Sequence, residues 1–462
     1  MKSDGINKTG KKQRQWMLIV LVIVGSVAGF SLFGKESDVT KYYLESHPEA
    51  SSALHYLRPY ILAFICFLPA IGVWLYKESS ILDRYLLKKF LSIFSLSLFG
   101  FIMIWLLLDL QNHYVDFGES VNDLGFMIQY YLVQVPYLLE LTSPFVLLLS
   151  CLFVLGQLSS HREIIGMIQT GRGFFRIVAP IIGFGLLYTI LLCSLNFHWS
   201  TWGLTHKDGM MDSAKHDTFT RAKNVVFSHP DTNRFWYVGL FPKNAFEGEP
   251  LKNVEITTPN ETGKPSERLK VNEAKWDKQT GDWQLTGVTR IALEGNKIPQ
   301  ITPLNNPLVL HDWPETPSQI ISTGLSADAM GIPAIADWLE YNKERTWIDN
   351  HPYLTQWHTR FAKPFTCLVA ILLSTPLGIV FSRRGTFGGV LTALILCLML
   401  FFSNEIFIAM GENGYMNPFL SAWGANICFT AIAGVLIYRR LQGRSIYQAI
   451  KAVTLYLTRV NT

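Results

Sequence analysis

The chain has 462 residues, of which 49% are hydrophobic and only 16% are charged, and its formal net charge is +5. Soluble domains carry about 25% charged residues, so this composition excludes an ordinary soluble protein. The apolar residues occur in runs of about twenty, the length needed to cross ~30 Å of hydrocarbon. We therefore expect a membrane α-helical bundle.

Two apolar runs come first, at about 16–33 and 59–76. The basic residues that precede Met17–Phe33 would also suit a cleavable signal peptide. We favour a retained membrane anchor, because the run is longer than a usual signal core and lacks a small-residue cleavage pattern. Cleavage would leave the remaining topology unchanged.

Six further apolar runs form the predicted core of the bundle. Their approximate bounds are 87–109, 134–156, 176–197, 358–381, 387–409 and 418–438. These runs and the segments between them divide the chain into six parts. The parts are an N-terminal extension with two extra helices (1–80), core helices one to three (81–197), a β-rich external domain (198–330), an interfacial helix and connector (331–357), core helices four to six (358–440) and a tail (441–462).

Basic residues mark every second junction between the predicted spans. They are Lys8, Lys11, Lys12, Arg14, Lys77, Arg84, Lys88, Lys89, His161, Arg162, Arg172, Arg176, Arg383, Arg384, Arg439, Arg440 and Arg444. If all eight runs cross the membrane, these junctions fall on one side. The positive-inside rule then predicts that both termini and the tail lie in the cytoplasm and that the large domain lies outside.

About 150 mostly polar residues, roughly 198–356, separate the third and fourth core spans. Leu269 and Val271 alternate with Arg268 and Lys270, which predicts a strand with one apolar and one polar face. The simplest closure of such strands is a sandwich or an open jelly roll, and an apolar face that is only an ordinary core remains the alternative. The predicted strands are Asn224–Ser228, Arg234–Leu240, Leu251–Thr258, Arg268–Trp276 and Asp282–Leu293.

A short amphipathic helix is predicted after the strands, with one apolar face and with Glu340 and Lys343 towards water. We expect it at the membrane surface, leading into core span four. Its apolar residues are Ile332, Ile335, Ala336 and Leu339.

No stretch of the sequence has the spacing of a catalytic or nucleotide-binding motif, so we predict no catalytic residue, no metal site and no cofactor on this chain. The six cysteines all lie in apolar runs, which predicts no disulfide framework. Asp109, Glu140 and Glu405 lie near the ends of their spans, where a charge costs little, so a proton relay has little support. The energy for transport would then come from a separate ATPase.

The cytoplasmic segment Gly156–Gly171 is too polar to span and suits such an ATPase contact. Ser160 and Glu163 have the spacing of a capping box, and Gly171 can end the helix in the left-handed conformation. An exposed helix with an apolar stripe indicates a partner groove, and a helix lying flat in the bilayer interface is the alternative. The stripe comprises Ile164, Ile165, Met167 and Ile168.

Several stretches together resemble the lipopolysaccharide-transport permease family, whose F and G subunits form the membrane part of a bacterial lipid exporter. Each stretch alone is a weak motif, but their order and spacing agree with the family from about Ile81 to Arg440. They are Leu82-Asp83-Arg84-Tyr85, Glu163 to Gly171, Ala274-x-Trp276 with Trp283, His358-x-Arg360-x-Ala362-x-Pro364, and Pro376-Leu377-Gly378.

The resemblance implies a periplasmic jelly roll and a helix, Glu163–Thr170, that couples to a cytoplasmic ATPase dimer. Its implied coupling residues are Arg162, Glu163, Ile164, Met167 and Gly171. It also implies a lipid cavity lined by core spans one and five of two permease subunits, an F–G pair in which this chain is slightly closer to G.

Two features depart from the family. The N-terminal pair of spans lies outside its six-span core, and the lysine that G-type members carry near the outer end of core span one is missing from Leu108–His113. We expect Asp109, His113 and Glu405 at the mouth of the cavity, with His113 as the candidate for contact with lipid phosphate.

The sequence therefore predicts a non-catalytic permease subunit of an ATP-driven lipopolysaccharide exporter in the bacterial inner membrane. Its partners would be the ATPase dimer, a second permease, a periplasmic bridge protein and lipopolysaccharide, but no nucleic acid. The alternatives are an ATPase-independent lipid transporter or flippase, or a membrane enzyme that modifies lipids. The predicted lipid path in the β-rich domain comprises Phe235, Tyr237, Leu269, Val271, Trp283 and Leu285.

Overall fold

The structure is a computed structural model that describes most of the chain. The described residues are 2–46, 52–120, 124–216, 220–228, 234–242, 244–260, 265–278, 280–292, 300–304, 307–311, 313–324, 326–342, 347–379 and 386–442. Of the residues named from the sequence, Lys343, Arg383, Arg384 and Arg444 lie outside the described residues.

Twelve α-helices are present in the described residues. They are α1 Lys2–Ser46, α2 Ser52–Glu78, α3 Ile81–Ser120, α4 Leu124–Ser160, α5 Glu163–Gln169, α6 Phe174–Asn196, α7 Trp199–His216, α8 Pro317–Gly324, α9 Ile332–Tyr341, α10 Trp347–Gly378, α11 Thr386–Glu412 and α12 Pro418–Leu441. Eight of them, namely α1 to α4, α6 and α10 to α12, are long and apolar enough to cross a membrane. This confirms the predicted helical membrane bundle with its two extra N-terminal helices.

Helices α4 and α10 form the centre of the bundle. Most side chains in their apolar stretches are buried, whereas few of those in α3 and α11 are fully buried within the chain. Helix α4 contacts α3 and α6, and α10 contacts α11, α12 and α6. The largest core cluster joins α3, α4, α6 and α10 around residues such as Phe90, Leu155 and Ile181.

The strands form one antiparallel sheet in the order β1-β2-β3-β4-β5-β8, with β6 and β7 attached to the other end of the long strand β4. This confirms a separate β-rich domain. Gly287, with φ +67°, ends β5, and the fifth predicted strand is therefore two strands that pair with different halves of β4. The strands are β1 Thr220–Ser228, β2 Phe235–Pro242, β3 Leu251–Pro259, β4 Pro265–Asp277, β5 Asp282–Thr286, β6 Thr289–Ala292, β7 Gln300–Pro303 and β8 Leu308–Leu310.

The helices α7 and α8 at either end of the β domain were not predicted from the sequence. Helix α7 continues from α6 and contacts α4, while α8 packs against β1. Ile320 and Ile321 of α8 belong to the buried core of the β domain. The β domain is thus closed by a helix on the apolar side of its sheet.

Arg360 of α10 binds the segment that leads from the β domain back to the helix bundle. This side chain is buried, and its Nε donates to the carbonyl oxygen of Met330 at 3.1 Å, while Nη2 donates to the carbonyl oxygen of Asp328. Asn196 at the end of α6 donates to the carbonyl oxygen of Arg360 at 2.9 Å, and the Ile332 amide donates to the carbonyl oxygen of Phe197 at 2.9 Å. These bonds join the chain entering and leaving the β domain.

The predicted amphipathic helix is present as α9. Ile332 and Ile335 are buried, Leu339 is half-buried and Glu340 is exposed, as the pattern predicts. The apolar face packs on the first turns of α10, where the ring of Trp338 stacks on Tyr353. Helix α9 is therefore held by protein contacts at the point where the β domain meets the bundle.

Candidate functional site

Helix α5 lies between α4 and α6, so it stands at the end of the bundle opposite the β domain. Arg162 takes a left-handed conformation, with φ 60°, between α4 and α5. The predicted capping box is wrong, because Ser160 is still part of α4 and its hydroxyl donates to the carbonyl oxygen of Gln157. Gly171 has φ +85°, the left-handed conformation predicted for the end of α5. Its amide donates to the carbonyl oxygen of Ile168.

The apolar stripe of α5 is divided between two environments. Ile164 and Met167 are buried in the core cluster that contains α3, α4 and α6. Ile168 is 40% exposed, and Gly166 and Gln169 are exposed beside it. The prediction that the whole stripe faces a partner is therefore wrong, since half of it anchors α5 to the bundle.

Glu163 links α5 to the first turns of α3. The Tyr85 hydroxyl donates to Glu163 Oε2 at 2.8 Å, and Lys89 Nζ donates to Oε1 at 3.1 Å. His161 Nδ1 lies 3.8 Å from Oε1. Tyr85 and Lys89 are four residues apart, so the sequence places them on one helical face, but it does not show that Glu163 lies opposite them.

These contacts decide the charge of Glu163. Burial raises the pKa of this carboxyl, but the hydrogen bonds from Tyr85 and Lys89 outweigh it and hold the pKa below its ordinary value. A lowered pKa means that the contacts stabilise the fold at neutral pH, and that this stabilisation is lost only as the pH falls through the lowered pKa. Glu163 is therefore charged at neutral pH and links α5 to α3.

Asp83 holds the other end of the same segment. Arg176 Nη2 donates to Asp83 Oδ2 at 2.9 Å, and Arg172 Nη1 lies 3.6 Å from Oδ1. Asp83 is buried, so its charge requires such partners. The stretch Leu82–Tyr85 therefore contacts both ends of the α5 segment, through Tyr85 at Glu163 and through Asp83 at Arg172 and Arg176. The basic residues of these two junctions thus lie at the same end of the bundle.

A second polar group lies at the other end of α3. Lys207 Nζ of α7 donates to Asp109 Oδ1 at 3.1 Å and stands 5.4 Å from the ring centre of Trp105. His113 Nδ1 lies 3.0 Å from the carbonyl oxygen of Asp109 and 3.6 Å from its Oδ1. The structure thus brings Asp109 and His113 together. The sequence did not identify Lys207, because it did not predict α7.

The remaining acidic residues of the spans are placed apart from that group. Glu405 is exposed on α11, a helix that packs on α10, α12 and α4. Glu140 of α4 is buried, accepts a hydrogen bond from Ser200, and lies 3.4 Å from Lys363 Nζ. These contacts explain the buried carboxylate of Glu140 as a structural link between α4, α7 and α10.

The six residues predicted to line a lipid path lie on two faces of the sheet. Phe235 and Tyr237 are exposed on the outer face, 50% and 39% respectively, because the side chains that point inward from β2 are Trp236 and Val238. The sequence did not decide which side chains of Phe235 to Val238 point inward, and the structure places Trp236 and Val238 there. The other four are buried on the inner face, and they are Leu269, Val271, Trp283 and Leu285.

The inner face forms a packed core. Trp236 and Trp283 lie with their ring centres 5.1 Å apart, and Trp283 Nε1 donates to the carbonyl oxygen of Glu315 at 2.7 Å. The fully buried carboxylate of Glu315 lies 3.0 Å from Arg234 Nε. These bonds hold the segment that leads into α8, which covers the inner face.

Among the described residues, no group of three or more His, Cys, Asp or Glu side chains stands close enough to hold a metal ion. Each buried acidic residue described above, namely Asp83, Asp109, Glu140 and Glu315, is paired with a basic side chain. Eight apolar helices and an inserted β domain define a multi-pass membrane protein, and the comparisons with known proteins place it more narrowly.

Residues 84–439 match the family described as the lipopolysaccharide export system permease LptF/LptG, and the chain belongs to that family. It is similar to the lipopolysaccharide export system permease protein LptF of Escherichia coli K12 and to the protein of the same name in Shigella flexneri. Each is 23% identical over 304 residues, which cover 65% of this chain and 79% of the relative. The family is one of permeases in the inner membrane, and the closer similarity to G subunits stays a prediction.

Proposed function

We propose that this chain is the membrane subunit of an ATP-driven exporter that extracts lipopolysaccharide from the inner membrane and passes it to a periplasmic bridge protein. A lipid with several acyl chains buries dozens of methylene groups, each at about 0.8 kcal/mol, so release into water would cost tens of kcal/mol. The lipid must therefore pass from the bilayer to an apolar surface without exposing its chains. A β domain inserted between two sets of membrane helices suits this transfer.

The ATP-driven part of the proposal rests on the two faces of α5, one exposed and one packed on the bundle. Its exposed face, with Ile168 and Gln169, is free to contact an ATPase, and its buried face packs on α3, α4 and α6. Glu163 adds a charged link to α3. A push on α5 would therefore move the helices that face the lipid.

The orientation follows from charge. The junction residues Arg172 and Arg176 contact Asp83, the neighbour of Arg84, at the end of the bundle opposite the β domain, which supports a cytoplasmic position for that end. The β domain would then lie in the periplasm and both termini in the cytoplasm.

The proposed lipid path in the β domain is its inner face. Leu269, Val271, Trp283 and Leu285 belong to one apolar cluster there. Because Ile320 and Ile321 cover this surface, α8 would have to move aside before lipid entered. Phe235 and Tyr237 would remain outside that path.

The proposed second permease follows from the exposure of α3 and α11. Their apolar side chains leave two open flanks, and a packed single bundle has little interior volume for a lipid with several chains. A similar subunit facing α3 and α11 would enclose a cavity, with Asp109 and His113 near its outer mouth and Glu405 on α11.

Copurification in mild detergent tests the proposal. The intact complex should contain a nucleotide-binding subunit and a second permease chain, and its ATP hydrolysis should release labelled lipopolysaccharide from proteoliposomes. A matched variant with Ile168→Asp should lose the ATPase subunit, because a charge would enter the exposed apolar contact. An active preparation that never contains an ATPase would support a transporter that works without one.

A further inference from the structure

The two N-terminal helices lie outside the residues that match the family, which begin at 84. They form a close hairpin, since a Cβ at Gly25 of α1 would stand 2.8 Å from the carbonyl oxygen of Cys66 in α2. Helix α2 also contacts α6 and α9, where Gly72 approaches Leu187. The hairpin thus packs against α6 and α9 of the family core.

Polar side chains fix the hairpin at the end where the β domain joins the bundle. His55 Nε2 lies 2.6 Å from Asp337 Oδ2 of α9, and both side chains are largely buried. Arg58 Nη2 lies 2.6 Å from Glu36 Oε1, and this pair joins α1 to α2. The ring of Tyr43 stacks on His55, with ring centres 4.7 Å apart.

Buried polar contacts of this kind define the position of one helix relative to another, here of α2 relative to α9. Apolar packing would hold two helices in a membrane in many related positions, whereas buried charges are costly wherever their partners are missing. His55 therefore fits one position, opposite Asp337. Arg58, which is buried and paired with Glu36, adds to this selectivity.

The hairpin also reaches the β domain itself. Tyr42 of α1 donates a hydrogen bond to Glu247, in the 3₁₀ turn Ala245–Glu247 between β2 and β3. Helix α9 is in turn fixed to the bundle through Ile332, whose amide donates to the Phe197 carbonyl oxygen, and Gly331 packs on His198. The hairpin therefore touches the β domain, the connector α9 and helix α6.

We propose that the N-terminal hairpin is a built-in brace that holds α9, and with it the β domain, in the position needed for lipid transfer. His55 and Asp337 are its main positioning residues. Because the hairpin packs on α6 and α9, it leaves the exposed flanks of α3 and α11 open. The link to transfer rests on the proposed export function, whereas the bracing of α9 does not.

Hydrogen exchange of the full complex in detergent tests the brace. In His55→Ala and in Asp337→Asn we expect the amides of α9 to exchange at least about tenfold faster, because a buried polar contact is lost. The double variant should exchange no faster than either single variant. Tyr56→Ala is the matched control, since Tyr56 is the neighbour of His55 and is 51% exposed; its α9 exchange should stay unchanged.

Export in proteoliposomes separates the brace from the proposed function. Faster α9 exchange together with export lowered severalfold, at unchanged ATPase binding, would support the proposal. Unchanged α9 exchange in folded His55→Ala and Asp337→Asn would overturn it, and so would full export despite faster exchange. If the wild-type complex exports no lipopolysaccharide but the exchange results hold, the proposed function fails and the bracing of α9 stands.

Discussion

The hydroxyl of Tyr85 donates to the Glu163 carboxylate across 2.8 Å, joining residues that are 78 positions apart. The two lie in the stretches Leu82–Tyr85 and Glu163–Gly171, which the sequence identifies separately. This contact links α5, the proposed ATPase-facing helix, directly to α3, the proposed lipid-facing helix. Motion at α5 therefore has a direct route to α3.

Glu163→Ala should uncouple ATP use from export while the protein stays folded and inserted. The loss of its two hydrogen bonds removes about 1–2 kcal/mol of local stabilisation, so lipid exported per ATP should fall roughly tenfold. Glu163→Lys should be worse, because the new charge would face Lys89. Single-turnover ATPase and export assays measure both effects.

Tyr85→Phe gives a graded control for that prediction. It keeps the ring and removes only the hydroxyl, so the fall in coupling should be smaller than in Glu163→Ala. Normal assembly and normal export in both Glu163 variants would show that this link has no role in coupling.

The sequence predicted the long helices well because the length of an apolar run determines whether it can cross the membrane. It did not predict α7, since Trp199–His216 contains no long apolar run and packs on α4 through Met210 and Met211, a contact between distant segments. It could not orient Phe235 to Val238, because all four side chains are apolar and only the pairing with β3 decides which ones point inward. The partners of Glu163 depend on contacts between distant segments, which one sequence does not display.

Arg360→Ala should lower the thermal stability of the complex and reduce export. Its guanidinium makes two hydrogen bonds to the carbonyl oxygens of Asp328 and Met330, just before α9, and their loss should cost about 3 kcal/mol. Arg360→Lys should lie between Ala and wild type, because an ammonium lacks the planar fork. Differential scanning fluorimetry in detergent would measure the shift in Tm.

Arg162→Ala is the matched control for stability, since Arg162 is exposed and makes no capping hydrogen bond. It should leave Tm nearly unchanged. If Arg360→Ala also left Tm unchanged, the junction between α10 and the connector would not depend on this side chain.

Photo-crosslinkers in the β domain should report which face carries lipid. We expect capture of lipopolysaccharide at Leu269 and Trp283 in living cells, and much weaker capture at Phe235 and Tyr237, because these pairs point to opposite faces. Mass spectrometry of the adducts identifies the lipid. Capture confined to Phe235 and Tyr237 would move the path to the outer face, and capture at none of the four during active export would make the domain a spacer.

Cysteine crosslinking should reveal a second permease against α3 and α11. Leu107→Cys on α3 and Leu398→Cys on α11 are 66% and 41% exposed, so each should crosslink to a cysteine series on the partner chain. Exposed Cys428 should first be replaced by serine. Tyr60→Cys on α2, 63% exposed, is the control and should give no product with the partner, because the hairpin lies on the side of α6. An active complex with one permease chain for each ATPase dimer would refute the paired arrangement.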